Sequence, residues 1–184
     1  MLKKDWRGFQ NKKMCPNQLN IEFRQSSSKD WRIIQSIAHT TWPVTYGQLL
    51  SAGQLEYMLD LTYSEESIKQ QMDREHQFII GYHAGEPLGF ASVEKQYNAP
   101  ANLMIHKLYI LPSFQGKGMG KAFLDYLTAF AIKTGHDMLT LKVFIKNQNA
   151  IRFYNHLGFH SIGEEVTDLG NGYAVLDYIM IKKM

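Results

Sequence analysis

The sequence predicts an α/β (α+β) fold, with helices flanking a mixed sheet. Three observations carry that expectation. Strand-like runs at 76–83 and 86–97 are separated only by Ala84 and Gly85, which reads as a hairpin. A nearly continuous apolar run at 103–111, a helical stripe beyond residue 120 and a strand at 138–145 then imply one right-handed parallel crossover in an otherwise antiparallel sheet. Finally, 184 residues at 45% hydrophobic content suit one sizeable core and are too few for two comfortable domains. Residues 1–19 read as a polar tail or lead-in and 20–184 as a single domain.

The elements follow in order. A short strand falls at 19–25. Serines at 26–28 offer N-caps for a helix carrying Ile33, Ile34, Ile37 and Ala38 at helical spacing, with Pro43 expected to stop it. Residues 51–72 read as one or two helices, with Ser64 as a fresh cap between them. After the hairpin, the run at 103–111 has the pattern of a buried central strand and ends at Pro112. Phe123, Leu124, Leu127, Phe130 and Ala131 form the apolar stripe of the next helix, closed by Gly135. A strand at 138–145, a short helix at 147–159 with Gly158 as its C-terminal signal, and two strands joined by a turn at 168–173 complete the chain.

Bulk properties exclude several classes. A net charge of +3 gives no broad nucleic-acid footprint. Cys15 is the only cysteine, so no intramolecular disulfide forms. No apolar run has the length of a membrane span, and the lysines of the first residues precede no apolar signal segment. A cytoplasmic protein is the default expectation.

The segment 115–123, QGKGMGKAF, sets Gly116, Gly118 and Gly120 at every second position before a helix. Glycine there costs helix propensity, so the bare backbone needs a reason. A P-loop requires a glycine where Gln115 stands and a hydroxyl where Ala122 stands. A dinucleotide fingerprint requires G-x-G-x-x-G, whereas the spacing is G-x-G-x-G. A flexible turn is one remaining reading. An anion cradle is the other: free N–H groups and the helix dipole face a phosphate, with Lys117 and Lys121 nearby.

These residues resemble the acetyl-CoA pyrophosphate loop of the GNAT superfamily of N-acetyltransferases, whose pattern Q/R-x-x-G-x-G/A is filled by Gln115, Gly118 and Gly120. A second signature of that family, N-x-x-A-x-x-F/L-Y before a glycine, is similar to Asn147, Ala150, Phe153, Tyr154 and Gly158. The resemblance covers roughly residues 20–184. It implies a mixed six- or seven-stranded sheet with a splay between two central parallel strands. It also implies acetyl-CoA as cosubstrate, with no metal. Contacts to acetyl-CoA are expected from Leu108, Tyr109 and Ile110 along the strand, from Gln115, Gly116, Lys117, Gly118, Met119, Gly120 and Lys121 in the loop, and from Asn147 and Tyr154.

The same resemblance assigns Tyr154 as the acid that protonates the leaving thiolate; the alternative is a tyrosine packed beside Phe153. Asn147 suits cofactor contact and an N-cap equally. His106 occupies a position where some members, polyamine acetyltransferases among them, carry a glutamate, and it is the candidate base. A packed histidine is its alternative, and Glu94 the runner-up base. Ribosomal-protein N-terminal acetyltransferases carry a glutamate five residues before Asn147, where this chain has Lys142, so their mechanism is not expected. His156 and His160 are spaced i, i+4, but Gly158 between them speaks against a shared helix face and a zinc site. The acceptor wall is expected at 39–67, with Trp42, Tyr46, Tyr57 and Tyr63 and the carboxylates Glu56, Asp60, Glu65 and Glu66; an ordinary helix pair with a solvated acidic face is the competing reading. The expected activity is acetyl transfer to a primary amine of a small, polyamine-like molecule or a peptide, without nucleic-acid or membrane partners and with a homodimer left open. A non-catalytic acyl-CoA-binding regulator is the alternative.

Overall fold

The computed structural model describes residues 20–184; the expected tail at 1–19 lies outside them. Seven strands form one sheet: β1 (Glu22–Gln25), β2 (Gln77–His83), β3 (Glu86–Lys95), β4 (Asn102–Ile110), β5 (Met138–Phe144), β6 (His160–Gly170) and β7 (Tyr173–Lys183). Their spatial order is β1-β2-β3-β4-β5-β7-β6. All neighbours are antiparallel except β4 and β5, which are parallel and joined by α4 (Met119–Lys133).

Apolar residues on the two faces of the strands build two cores. α4 and α5 (Gln148–His156) pack on one face, where Phe123, Leu124 and Leu127 meet Leu103, Ile105, Leu139, Leu141 and Met180. α1 (Trp31–Tyr46), α2 (Ala52–Tyr63) and α3 (Glu65–Asp73) serve the other, where Ile34, Ile37, Trp42, Tyr63 and Ile68 meet Phe78, Ile80 and Phe90. Ser64 divides α2 from α3, its hydroxyl accepting from Ser67 N–H at 3.3 Å. Ala84 and Gly85 form the β2–β3 turn with φ of 50° and 85°, the left-handed pair a tight hairpin needs.

Pro43 does not end α1. A proline late in a helix removes only its own bond, to the carbonyl four residues back. The helix then resumes, with Gly47 N–H donating to Pro43 O at 3.0 Å. Trp42 holds this last turn from inside, 5% exposed and edge-on to Tyr46 and Tyr63 at 4.9 and 5.5 Å. The extra turn matters because it delivers Tyr46 to the centre of the molecule.

Candidate active site

The parallel pairing of β4 with β5 stops early. It runs from Asn102–Met138 to Ile105–Leu141 and no further. Beyond it, β4 stays on β3 through Lys107, Leu108, Tyr109 and Ile110, and β5 stays on β7 through Lys142, Val143 and Phe144. The facing edges of the two strands therefore lack strand partners, and unpaired backbone groups inside a protein call for another partner. The exception is Ile110 O, which accepts from Gln115 Nε2 at 2.9 Å. Gln115 thus braces the loop against β4.

The splay opens beside the mouth of α4. Gly118 is the N-cap, with φ of 80° and no side-chain cap, and the first helical bond runs from Ala122 N–H to Gly118 O at 3.0 Å. The N–H groups of Met119, Gly120 and Lys121 are therefore the free donors of the helix start. A side chain at Gly116 or Gly118 would touch nothing, so both are glycine for their positive φ, 72° and 80°. Gly120 has a different reason. A Cβ there would lie 2.9 Å from Phe153 Cζ, so its bareness seats α5 against α4. Met119 is 3% exposed and belongs to the core, leaving only its N–H at the mouth. Lys121 pairs with Asp125 at 2.7 Å, and Lys117 lies over the Phe114 ring at 5.6 Å.

α5 starts on the open edge of β5. Asn147 caps it, accepting from Ala150 N–H at 3.1 Å. Tyr154 packs between Phe153 and Phe159 at 5.3 and 5.6 Å. Its hydroxyl makes no hydrogen bond among the described residues, yet it is not a sealed atom. Burial, and then the neighbouring Tyr46 hydroxyl, push its pKa well up, so it carries its proton throughout the neutral range. Tyr154 and Tyr46 come from opposite faces of the sheet. The effect of Tyr46 on Tyr154 acts across the sheet, where the β4–β5 splay leaves the two faces open to each other.

On that second face, Trp42, Tyr46, Tyr63 and Tyr109 cluster around the open end of β4, with Tyr46 and Tyr109 hydroxyls 3.4 Å apart. Pairing of β3 with β4 skips His106, since Val93 faces Ile105 and Ser92 faces Lys107. This bulge re-aims His106 at the start of the splay. His106 Nε2 lies 2.8 Å from Glu94 Oε2, and the His76 ring stacks on His106 at 4.1 Å and 13°. Burial, Lys107 and Lys142 push the His106 pKa down to about 4. The Glu94 carboxylate alone would act the other way. His76 is likewise pushed down to about 4, by burial first and then by His106 and Lys107. A neutral His106 donates Nε2–H to Glu94, which leaves the Nδ1 lone pair free. Glu94 and His106, alternatives in the sequence, form one unit in the structure.

His76, Glu94 and His106 place three ligand atoms within 4.8 Å of one another. A ring nitrogen binds metal through a lone pair in the ring plane, at about 2.0–2.1 Å. Two imidazoles stacked nearly parallel do not aim their lone pairs at one point, so this arrangement suits proton handling and not ligation. His156 ends α5 and His160 begins β6, in separate elements. Lys107 is partly buried, donates to Gln71 Oε1 at 2.5 Å, and is lowered to about 8 by desolvation.

The acceptor wall divides. Its aromatics Trp42, Tyr46 and Tyr63 reach the site, and Tyr57 donates to Leu169 O at 2.7 Å, fastening α2 to the β6–β7 hairpin. Its carboxylates do not reach it: Glu56 and Asp60 line an outer groove between α1 and α2, and Glu65 and Glu66 sit exposed at the start of α3. The carboxylates nearest the splay are Glu94, Glu165 and Asp177. The latter two and His76 were missed in the sequence because only strand register brings them there.

The sequence profile of the acetyltransferase (GNAT) family matches residues 31–159. An uncharacterised N-acetyltransferase of Mycobacterium tuberculosis is 26% identical over 152 residues, covering 82% of this chain and 96% of that protein. The spermidine N(1)-acetyltransferase of Thermoplasma acidophilum is 25% identical over 170 residues, 90% of this chain and 98% of that one. Among solved structures, the PaiA N-acetyltransferase of Thermoplasma acidophilum in complex with coenzyme A superposes with a TM-score of 0.74 at 25% identity, covering 90% of this chain and 99% of that one.

Proposed function

The chain belongs to the acetyltransferase (GNAT) family and is an N-acetyltransferase, and on that premise we propose that it moves an acetyl group directly from acetyl-CoA to a primary amine of a small, polyamine-like molecule. One observation carries the reading. The β4–β5 ladder breaks after Ile105–Leu141, beside a helix mouth whose N–H donors are free. An extended chain of amides suits the first feature, and a pyrophosphate suits the second. Relatives with a coenzyme A complex and a spermidine acceptor support it further.

In this reading the unpaired edge of β4 at Leu108, Tyr109 and Ile110 takes the pantetheine amides. Gly116, Lys117, Gly118, Met119, Gly120 and Lys121 hold the phosphates through backbone N–H groups, and Gln115 fixes the loop. Asn147 keeps the open edge of β5 in place by capping α5. The acceptor ammonium gives a proton to His106 Nδ1, directly or through one water, and Glu94 stabilises the imidazolium that forms. The neutral amine attacks the thioester carbonyl carbon. As the tetrahedral intermediate collapses, the attacking nitrogen loses its second proton to water, the C–S bond breaks, and Tyr154 hands its proton to the departing sulfur. Amide and free thiol result, with one proton released and Tyr154 reprotonated from water.

The test is a panel of acceptors (spermidine, short alkylamines and a peptide α-amine) with acetyl-CoA, reading thiol release, alongside calorimetry of CoA binding. Turnover on an amine is expected. Tight CoA binding with no turnover on any amine would instead support the acyl-CoA-binding regulator.

A further inference from the structure

Asp177 on β7 is half-buried, yet it makes no hydrogen bond and no ion pair among the described residues. A carboxylate taken out of water normally has such a partner. Strand register fixes its surroundings. Asp177 pairs with Phe144 of β5 on one side and Glu165 of β6 on the other. Met180 and Tyr178 of β7 face α4, so Asp177 faces α1 and the aromatic cluster. The nearest cation, Lys142, is already bonded to Glu165. Glu94, Glu165 and Asp177 are thus set against Lys142 and the partly buried Lys107, which leaves a net negative charge among these five groups.

Tyr57 closes the region from above. It ties α2 to Leu169 O and lies 5.5 Å from the Tyr173 ring, four residues from Asp177 along β7, so it joins the two elements that flank this face. Burial raises the Asp177 pKa, and Glu165 raises it further against the opposing pull of Lys142. A cation brought beside it would offset that rise. The aromatic faces of Tyr46 and Tyr109 favour the same kind of guest.

Position separates this carboxylate from the chemistry. The parallel ladder ends at Ile105–Leu141, one residue short of His106, whereas Asp177 pairs with Phe144 three residues beyond Leu141 and stands two strands over, on β7. Strand spacings of about 4.8 Å and rises of about 3.4 Å would put the two Cα atoms roughly 12 Å apart in a closed sheet, and the opened β4–β5 edge widens that. Such a separation fits two nitrogens joined by a short alkyl chain. We propose that Asp177 anchors the distal ammonium of a diamine or polyamine whose other nitrogen reacts at His106, making it a specificity-determining residue. The inference rests on the acetyltransferase reading above.

The test compares spermidine with n-butylamine as acceptors for the parent protein and for Asp177→Asn and Asp177→Glu. Asp177→Asn is expected to lower kcat/KM for spermidine about tenfold or more, mainly through KM, and to change that for n-butylamine less than about threefold; Asp177→Glu is expected to recover part of the spermidine preference. Equal losses on both amines, or none on either, would overturn the anchor, with circular dichroism confirming that the variants fold. If neither amine is acetylated, the transfer reading fails instead. Calorimetry of spermidine with CoA-loaded protein then tests the anchor alone: about tenfold weaker binding by Asp177→Asn supports it, and unchanged affinity overturns it.

Discussion

The two sides of the splay are made of different material. The donor side is backbone: the unpaired edges of β4 and β5 and the free N–H groups of α4, set by a loop whose glycines adopt φ of 72° and 80°. The side proposed for the acceptor is side chains: Tyr46 from α1, His76 just before β2, Glu94 from β3, His106 and Tyr109 from β4, and Asp177 from β7. A ligand common to every reaction of a family can be held by main chain, which no single substitution erases. A ligand that differs from one member to the next has to be chosen by side chains. The contrast predicts that donor-side changes act on CoA affinity, and acceptor-side changes on rate and amine choice.

Tyr154 stands where the two sides meet, and its loss is the largest effect expected. Tyr154→Phe keeps the ring between Phe153 and Phe159 and removes one hydroxyl that holds no other part of the protein. General acid assistance is worth about 10²–10⁴-fold, so kcat should fall on the order of 10³-fold while CoA affinity stays within about threefold. The loss should appear equally in kcat and kcat/KM, as for an interaction made only in the transition state. Single-turnover rates decide the matter where product release limits kcat. Parent-like turnover in both assays would assign Tyr154 to packing.

His106→Ala is expected to cost less, about 10²-fold in kcat/KM, because a base held near pKa 4 is weak. The low pKa also fixes the shape of the pH profile. His106 is neutral from pH 5 upward, so the acidic limb near neutrality should come from the acceptor ammonium and survive the substitution. A limb that disappears would show that substrate binding raises His106 well above about 4. Stability carries the same signature. His76 and His106 fall from 6.5 to about 4 on folding, so the unfolded chain binds more protons between those values. The stability they confer is present above pH 6.5 and is lost as pH falls towards 4. Thermal melts at pH 7 and 5 should therefore diverge, and His76→Gln with His106→Gln should narrow the gap.

Gly118→Val tests the donor side. The side chain meets nothing in the protein, but φ of 80° is strained for valine by about 1–2 kcal/mol. A fold-preserving shift of the loop should remove one or two charge-assisted bonds, weakening CoA binding about 10–100-fold in calorimetry. An unchanged affinity in a folded variant would dismiss the cradle.

The same difference in material explains what the sequence revealed. The donor side falls within about fifty residues, and glycine, asparagine and tyrosine at fixed offsets signal backbone geometry directly. Even there, Gly120 looked like its neighbours until Phe153 was found against it. The acceptor side was legible only as an aromatic-rich stretch. Glu56, Asp60, Glu65 and Glu66 looked as promising as any carboxylate, and helix phase turned them outward. Asp177 and His76 sit in ordinary strand patterns, and only the order β5-β7-β6 and the stacking on His106 give them neighbours that matter. Pro43 misled for a related reason: local propensity placed a stop where burial of Trp42 sustains another turn.

Lys117→Ala is the smallest effect expected and the sharpest probe of the claim that main chain holds the donor. Lys117 stands between two positive-φ glycines on the exposed loop, its ammonium over the Phe114 ring. A solvated charge near a phosphate contributes about 0.3–1 kcal/mol, against the several oriented N–H groups of the α4 mouth. CoA affinity should therefore fall only about two- to fivefold at low salt. The deficit should vanish at about 1 M salt, where screening reaches about 3 Å. Gly118→Val should stay weak at both salt concentrations, because misplaced N–H donors are not restored by ions. A Lys117→Ala loss that matches Gly118→Val and persists in high salt would move the phosphate-binding strength from backbone to side chain, and the contrast between the two sides would no longer stand.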